Sequence, residues 1–394
     1  MTADPADPGL RALWPLDPEV AFLNHGSFGA TPRVVLDAQA EIQRRLERNP
    51  VDFFMRFFPG ALATAREAVA AFLGADPGGL AFVSNASAAV STVIHNIALT
   101  PGDELLVTDH AYGACRNAFE HHAARHGARV VVASVPFPGT TSDLVVDAVL
   151  AAATPRTKLA LIDHITSPTG LVFPVERIVP ALAERGIDTL VDGAHAPGSV
   201  DLAIDRLAPA YYIGNGHKWS CAPKGAGFLW VRADRRDGFH PLVISHGLTR
   251  PLQPGETRFR AEHDWTGTDD PATVLCWPIA IDVVGSLLPG GWPAIRRRNH
   301  AAAVAARRVL CDLLGIAAPA PDDMLAALAT VPLPDGPAMT LADRLWREHK
   351  IEVPVFPWPA PPKRFLRVAM HLHTRPADLA RLVVALPGAL AATA

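Results

Sequence analysis

The sequence predicts an α/β protein: a seven-stranded, mainly parallel central sheet flanked by helices, followed by a smaller α+β C-terminal domain. Three observations predict it. Short apolar runs alternate with helix-like segments from residue 32 to residue 231, the pattern of strands joined by crossover helices. Several of these runs end in loops rich in Ser, Thr, His or Gly, where open α/β sheets hold their ligands. After about Asp270 the pattern shifts to long Ala- and Arg-rich helices with shorter strand-like runs, and 394 residues exceed what one hydrophobic core sustains.

In chain order, Pro32–Glu47 and Ala61–Leu73 read as helices, with apolar residues at helical spacing and no interior Gly or Pro. Seven apolar runs follow as strands: 80–83, 104–107, 130–133, 158–162, 189–191, 210–213 and 228–231. Trp277–Leu287 and Trp292–Leu314 read as helices of the second part. The prolines of Val353–Pro362 exclude a helix there and predict an extended loop before a strand at Phe365–Ala369. The expected division is residues 1–20 as an N-terminal segment, 21–270 as a large ligand-binding domain and 271–394 as a small domain.

Composition narrows the function classes. With 36 basic and 39 acidic residues the net charge is −3, and no basic block suggests nucleic acid or apolar run a membrane span. Met1–Leu10 is acidic and Pro-rich, without the features of a signal peptide, so a cytoplasmic location is expected. Cys115, Cys221, Cys276 and Cys311 are scattered without CxxC spacing. This argues against a zinc site or disulfide framework and reads as mostly buried thiols.

The most informative pair is Asp192, ending the run Leu190-Val191-Asp192, and Lys218, within Gly214-Asn215-Gly216-His217-Lys218-Trp219. Strands ending in an acid and in a lysine bring a carboxylate and an amine to one sheet edge. That pairing suits pyridoxal phosphate: the amine condenses with the aldehyde, and the carboxylate keeps the pyridine nitrogen protonated. Alone, an Asp after a strand is most simply a helix cap and a Lys in a Gly-rich turn a solvated residue. Their order and the further matching segments carry the reading.

Those segments are Phe22-Leu23-Asn24-His25-Gly26-Ser27-Phe28-Gly29, Ser84-Asn85-Ala86-Ser87, Asp109-His110-Ala111-Tyr112-Gly113-Ala114, the Asp192 and Lys218 segments, Trp265-Thr266-Gly267-Thr268-Asp269, and Arg367. In this order the chain resembles the class V aminotransferase family of fold type I pyridoxal phosphate enzymes, in the branch close to isopenicillin N epimerase. The resemblance implies that Lys218 carries the cofactor and serves as general base, and that Asp192 pairs with the ring nitrogen. It implies that Ala86, Ser87, Asn215 and His217 receive the phosphate, the first two at a helix N-terminus, and that Ser167 bonds the phenolic oxygen. His195 contacts that oxygen or lies against the ring, and His110 or Tyr112 covers its open face. Tyr112 has a second possible role in proton transfer. Thr268 is expected to reach the phosphate of a neighbouring subunit, implying a homodimer with shared sites, and the first 20 residues are expected to pack with the small domain.

Arg367 matches the family's clamp for a substrate α-carboxylate, and Asn24, His25 and Phe28 line the substrate side. The segment after Arg367, Val368-Ala369-Met370-His371-Leu372-His373-Thr374, departs from the family's usual serine and Tyr-Asn pair, which leaves the side chain of the substrate open. Epimerisation or racemisation of an α-amino acid is the first expectation. Carbon–sulfur β-lysis of cysteine conjugates or sulfoxides is the alternative, with transamination behind it and a catalytically inactive binding protein as a different class. Val353–Leu366 holds no cysteine, which argues against the desulfurase branch.

Overall fold

The computed structural model describes residues 8–393. The seven expected runs form one sheet: β1 (Leu80–Val83), β2 (Glu104–Thr108), β3 (Arg129–Ala133), β4 (Thr157–Asp163), β5 (Asp188–Gly193), β6 (Tyr211–Asn215) and β7 (Gly227–Val231), in the spatial order β1-β7-β6-β5-β4-β2-β3. Neighbours from β6 through β3 pair in parallel, whereas β7 is antiparallel to both β6 and β1. The β6–β7 connection, residues 216–226, contains no helix, and a parallel return needs a crossover of about a dozen residues or more, usually helical. The chain therefore turns straight back, and Lys218 lies in that turn.

Alternation along the strands builds a core on each face. Leu106, Ala160, Ile162, Val191 and Phe228 pack into one cluster with Val69, Leu73 and Val149. Leu105, Val107, Leu159, Leu161, Leu190 and Ile213 pack into another with Val90, Val93 and Phe119. The expected helices at 32–47 and 61–73 are Arg33–Arg48 and Phe58–Leu73. The second is preceded without a break by a π-helical turn at Phe53–Phe57, so it begins earlier than expected and Pro59 lies inside a longer helical run.

Beyond residue 328 a second sheet forms from β8 (Leu328–Leu333), β9 (Val355–Pro357) and β10 (Arg364–Ala369), antiparallel in the order β9-β10-β8. At Val355–Pro357 the structure differs from the extended loop that the prolines predict. This segment is an edge strand, the place where missing proline N–H groups cost no ladder bond. The helix Gly291–Leu314 packs on β8. Arg11 donates to the His373 carbonyl at 3.3 Å, and Trp14 meets the His371 ring edge-on; residues 1–7 of the expected N-terminal segment lie outside the described residues. No described helix is long and apolar enough to cross a membrane.

Two registers position the site. Asp163 and Asp192 are paired residues at the ends of β4 and β5, and Asn215 pairs with Gly227, which pairs with Val83. The second register carries the chain after β1, and the helix Ala86–His95 that follows, to the end of β6. Ala21–Phe22 pairs with Ile351–Glu352, and Ala369 N–H donates to the Leu23 carbonyl at 2.8 Å, so the loop Asn24–Gly29, which contains one helical turn at His25–Phe28, runs beside β10.

Gly29 locks that loop against the lysine turn. Its φ is +71°, and a Cβ there would stand 1.8 Å from the His217 carbonyl oxygen. Gly29→Ala combines left-handed strain with backbone overlap, and chemical denaturation is expected to show a loss of about 3 kcal/mol. At the uncrowded helical Gly60, Gly60→Ala is expected to gain about 0.5–1 kcal/mol; equal effects of the two changes would contradict the packing of the loop.

Candidate active site

At the carboxyl edge of the sheet lies a cavity of about 370 Å³, lined by Lys218, Asp192, His195, Tyr112 and Ser87 among others. Removal from water, reinforced by the nearby Arg367 guanidinium, lowers Lys218 to about 8, with Asp192 opposing. The hydrogen bonds agree with a neutral amine. Trp219 Nε1 can only donate, and it lies 3.3 Å from His195 Nδ1. In the neutral imidazole the proton is therefore on Nε2, which stands 3.0 Å from Lys218 Nζ and donates to its lone pair. Burial holds His195 well below its ordinary range.

Asp192 is buried at the end of β5. Its Oδ1 accepts the Ala194 amide at 2.8 Å and its Oδ2 the Cys115 thiol at 3.4 Å. Asp163, beside it on β4, is buried with Oδ2 unpartnered. Desolvation and the Asp192 charge push Asp163 well above the usual carboxylate range. Desolvation raises Asp192 as well, but with two donors and Lys218 nearby it is the better-supported anion, and Asp163 is the member of the pair that favours its proton.

The helix Ala86–His95 directs its N-terminus at the same cavity. Asn85 caps it, accepting the Ala88 amide at 2.9 Å. The Ala86 amide, expected to meet a phosphate, is instead donated to Asn215 Oδ1 at 2.9 Å. Asn215 thus ties strand to helix, and Ser87, exposed on the first turn, offers the open amide and hydroxyl. His217 lines the same cavity with Nδ1 buried and unpartnered among the described residues.

Arg367, buried on β10, donates through Nη1 to the Ser167 carbonyl and hydroxyl and through Nη2 to Ser27 Oγ at 3.3 Å. Ser27 and Ser167 line the cavity, so the guanidinium forms the wall behind them, with its Nε unpartnered. Desolvation lowers Arg367 to about 10, which leaves it charged. Ser27 Oγ donates to Asn24 Oδ1 at 2.5 Å, and Asn24 Nδ2 to Glu352 at 3.0 Å. Tyr112 and Phe28 line the opening, 48% and 74% exposed.

Two expected residues lie elsewhere. His25 is buried beneath the lysine turn rather than on the substrate side: its Nε2 donates to the Lys218 carbonyl at 2.9 Å, and its Nδ1 takes a bond from His373 at 2.9 Å. His110 is buried behind the cavity wall, between Thr169 Oγ1 at 2.7 Å and the Val135 carbonyl at 3.0 Å. Tyr112 thus remains as the ring at the opening. Thr268 sits in an exposed loop outside the lining of this cavity. Sequence reasoning missed Cys115, Asp163, Trp219 and Ser27. Trp219 and Ser27 stand inside segments already singled out, whereas Cys115 and Asp163 gave no signal beyond closeness to a motif.

The donor set fits pyridoxal phosphate: an amine of lowered pKa, a buried carboxylate for the ring nitrogen, and an open helix N-terminus beside an unpartnered imidazole for the phosphate. If Lys218 carries the cofactor, borohydride reduction followed by mass spectrometry should place a pyridoxyl adduct on Lys218, and Lys218→Ala should lose the adduct while retaining its fold. An adduct on another lysine would overturn the assignment.

The Aminotransferase class-V family profile matches residues 25–355. The chain is 35% identical over 384 residues to isopenicillin N epimerase of Streptomyces clavuligerus, covering 94% of this chain and 95% of that protein. It is 30% identical over 361 residues to L-cysteine desulfhydrase of Arabidopsis thaliana, covering 86% and 78%. Among solved structures it is similar to a C-DES mutant with glycine covalently linked to its PLP cofactor, with a TM-score of 0.83, 21% identity and coverage of 95% and 98%; at that identity the likeness shows the fold. This chain belongs to the class V aminotransferase family and is a pyridoxal phosphate-dependent enzyme.

Proposed function

We propose that the protein removes the Cα proton of an α-amino acid and returns a proton to the opposite side, acting as an epimerase or racemase. The observation that carries this reading is that two groups able to transfer protons, Lys218 and Tyr112, line one cavity beside a buried arginine. When bound, the cofactor takes up the electron pair left at Cα. The chain's own residues supply the rest. Arg367 would grip the α-carboxylate with paired hydrogen bonds. Lys218, lowered to about 8, would accept the Cα proton near neutral pH. Asp192 would hold the ring nitrogen protonated, and Tyr112 would supply the second proton. Similarity along almost the whole chain to an isopenicillin N epimerase supports this order of preference.

Carbon–sulfur β-lysis is the second reading, supported by similarity to an L-cysteine desulfhydrase. It would use the same first proton transfer, followed by loss of the sulfur substituent. Cys115 is poorly suited to carry sulfur, because its thiol is donated to Asp192 and burial raises its pKa well above the ordinary range.

We also propose a homodimer in which Thr268 of each subunit reaches the phosphate of the other site. A separate cavity, of about 560 Å³, runs between Ser84 and Ala88 on the phosphate side and the loop 265–270, exposed from Thr266 onwards, with exposed Leu242 and Val243 at its edge. Sedimentation at micromolar concentration should give the dimer mass, and Thr268→Ala should weaken cofactor retention; a monomer that keeps its cofactor would refute this arrangement.

Incubating the cofactor-loaded enzyme with amino acids and cysteine conjugates in deuterated water separates the two reactions. Cα deuteration with inversion and no pyruvate is expected. Pyruvate release with a thiol or sulfenate would instead favour the lyase reading, and absence of both would reject carbanion chemistry at Cα.

A further inference from the structure

Next to the active-site cavity lies a second one, of about 500 Å³, whose walls include Leu16, Phe22 and Leu36. Phe28 and Lys224 line both cavities, so the two meet at these side chains. The volume lies in the range of small-molecule sites, about 300–1,000 Å³, and the combination of apolar walls with a few polar groups is typical of them.

Lys224 has no carboxylate within salt-bridge distance among the described residues; its Nζ reaches only Thr31 Oγ1, at 3.4 Å. Its side chain is exposed at the junction of the two cavities, so an anion there would meet an ammonium that has no counter-charge of its own. The cavity's other charged group, Glu352, has Oε1 engaged by Asn24. Its negative charge disfavours an anion at its end and so directs one towards Lys224.

The two cavities are also joined by a chain of hydrogen bonds. Arg367 donates to Ser27, Ser27 to Asn24, and Asn24 to Glu352. With both ends of the Asn24 amide engaged, its orientation is fixed, and the wall between the α-carboxylate clamp and the second cavity is set before a ligand arrives.

We propose that the second cavity is the subsite for the distal part of the substrate: an extended, largely apolar side chain bearing a second carboxylate, which pairs with Lys224. The inference rests on the proposed function, because it takes the α-carboxylate to be held by Arg367. It narrows the substrate class to long dicarboxylic amino acids or their acyl and thioether conjugates. Phe28 contributes the apolar contact where the side chain passes from one cavity to the other.

The test uses the cofactor-loaded enzyme with L-2-aminosuberate and L-2-aminooctanoate, equal in chain length and differing in the terminal carboxylate, and with L-alanine as a short control. Binding is read from the visible spectrum of the cofactor. The wild type is expected to bind the dicarboxylate at least about tenfold more tightly than its monocarboxylic partner, and Lys224→Met is expected to abolish that preference without increasing cofactor loss. Equal affinities in the wild type would overturn the subsite. So would a Lys224→Met protein that sheds its cofactor, because Lys224 would then serve the phosphate. Alanine binding without either long acid would reject the subsite and leave the proposed function standing, whereas no response to any of the three would reject both.

Discussion

A lysine acts as a nucleophile or base only while uncharged, and the structure depends on bringing that state of Lys218 within reach near neutral pH. Its ordinary pKa near 10.5 would leave the amine almost wholly protonated near neutral pH. Desolvation and the positive charge of Arg367 outweigh the attraction of Asp192, bringing Lys218 to about 8. The neighbouring groups agree: His195 presents an N–H rather than a lone pair, because Trp219 occupies its other nitrogen. The site could not relieve this destabilised ammonium by adding acids without losing the reactive amine. One carboxyl of the Asp163–Asp192 pair accordingly keeps its proton.

The sheet supplies the precision. Antiparallel β7 returns directly from the lysine turn and brings β1, with its helix N-terminus, beside the end of β6. Asn215 then joins strand to helix through the Ala86 amide. From the other side, the Asn24–Gly29 loop presses on the turn, with Gly29 against the His217 carbonyl and His25 bonded to the Lys218 carbonyl. The backbone on which the amine stands is therefore held by two independent contacts. His25 is itself held by His373, so the departure from the family pattern after Arg367 forms part of the support beneath the lysine.

Much of this was legible in the sequence. The seven strands could be read because parallel strands buried on both faces are continuous apolar runs, and the acid at the end of one and the lysine just after another pointed to the cofactor, which the family membership supports. Tertiary context decided the rest. His25 and His110 stand in polar, Gly-flanked segments that read as ligand-facing, yet both rings turn inward to backbone or hydroxyl partners that are distant in sequence. Ala86 was read as a free donor because nothing local reveals that Asn215 takes its amide. Val355–Pro357 was read as loop from its prolines, which exclude a helix but permit an edge strand. Cys115 and Asp163 acquire meaning only through the strand register and helix packing that bring them to Asp192.

The most direct test of this account is the titration of Lys218 itself. Cofactor-free protein would be labelled with a trace of an amine-reactive reagent across a pH series, and the modification of each lysine followed by mass spectrometry. The account predicts half-maximal reactivity of Lys218 near pH 8. If Lys218 instead reached half-maximal reactivity near the ordinary lysine value of 10.5, desolvation and the Arg367 charge would not be controlling the amine, and the central claim would fail.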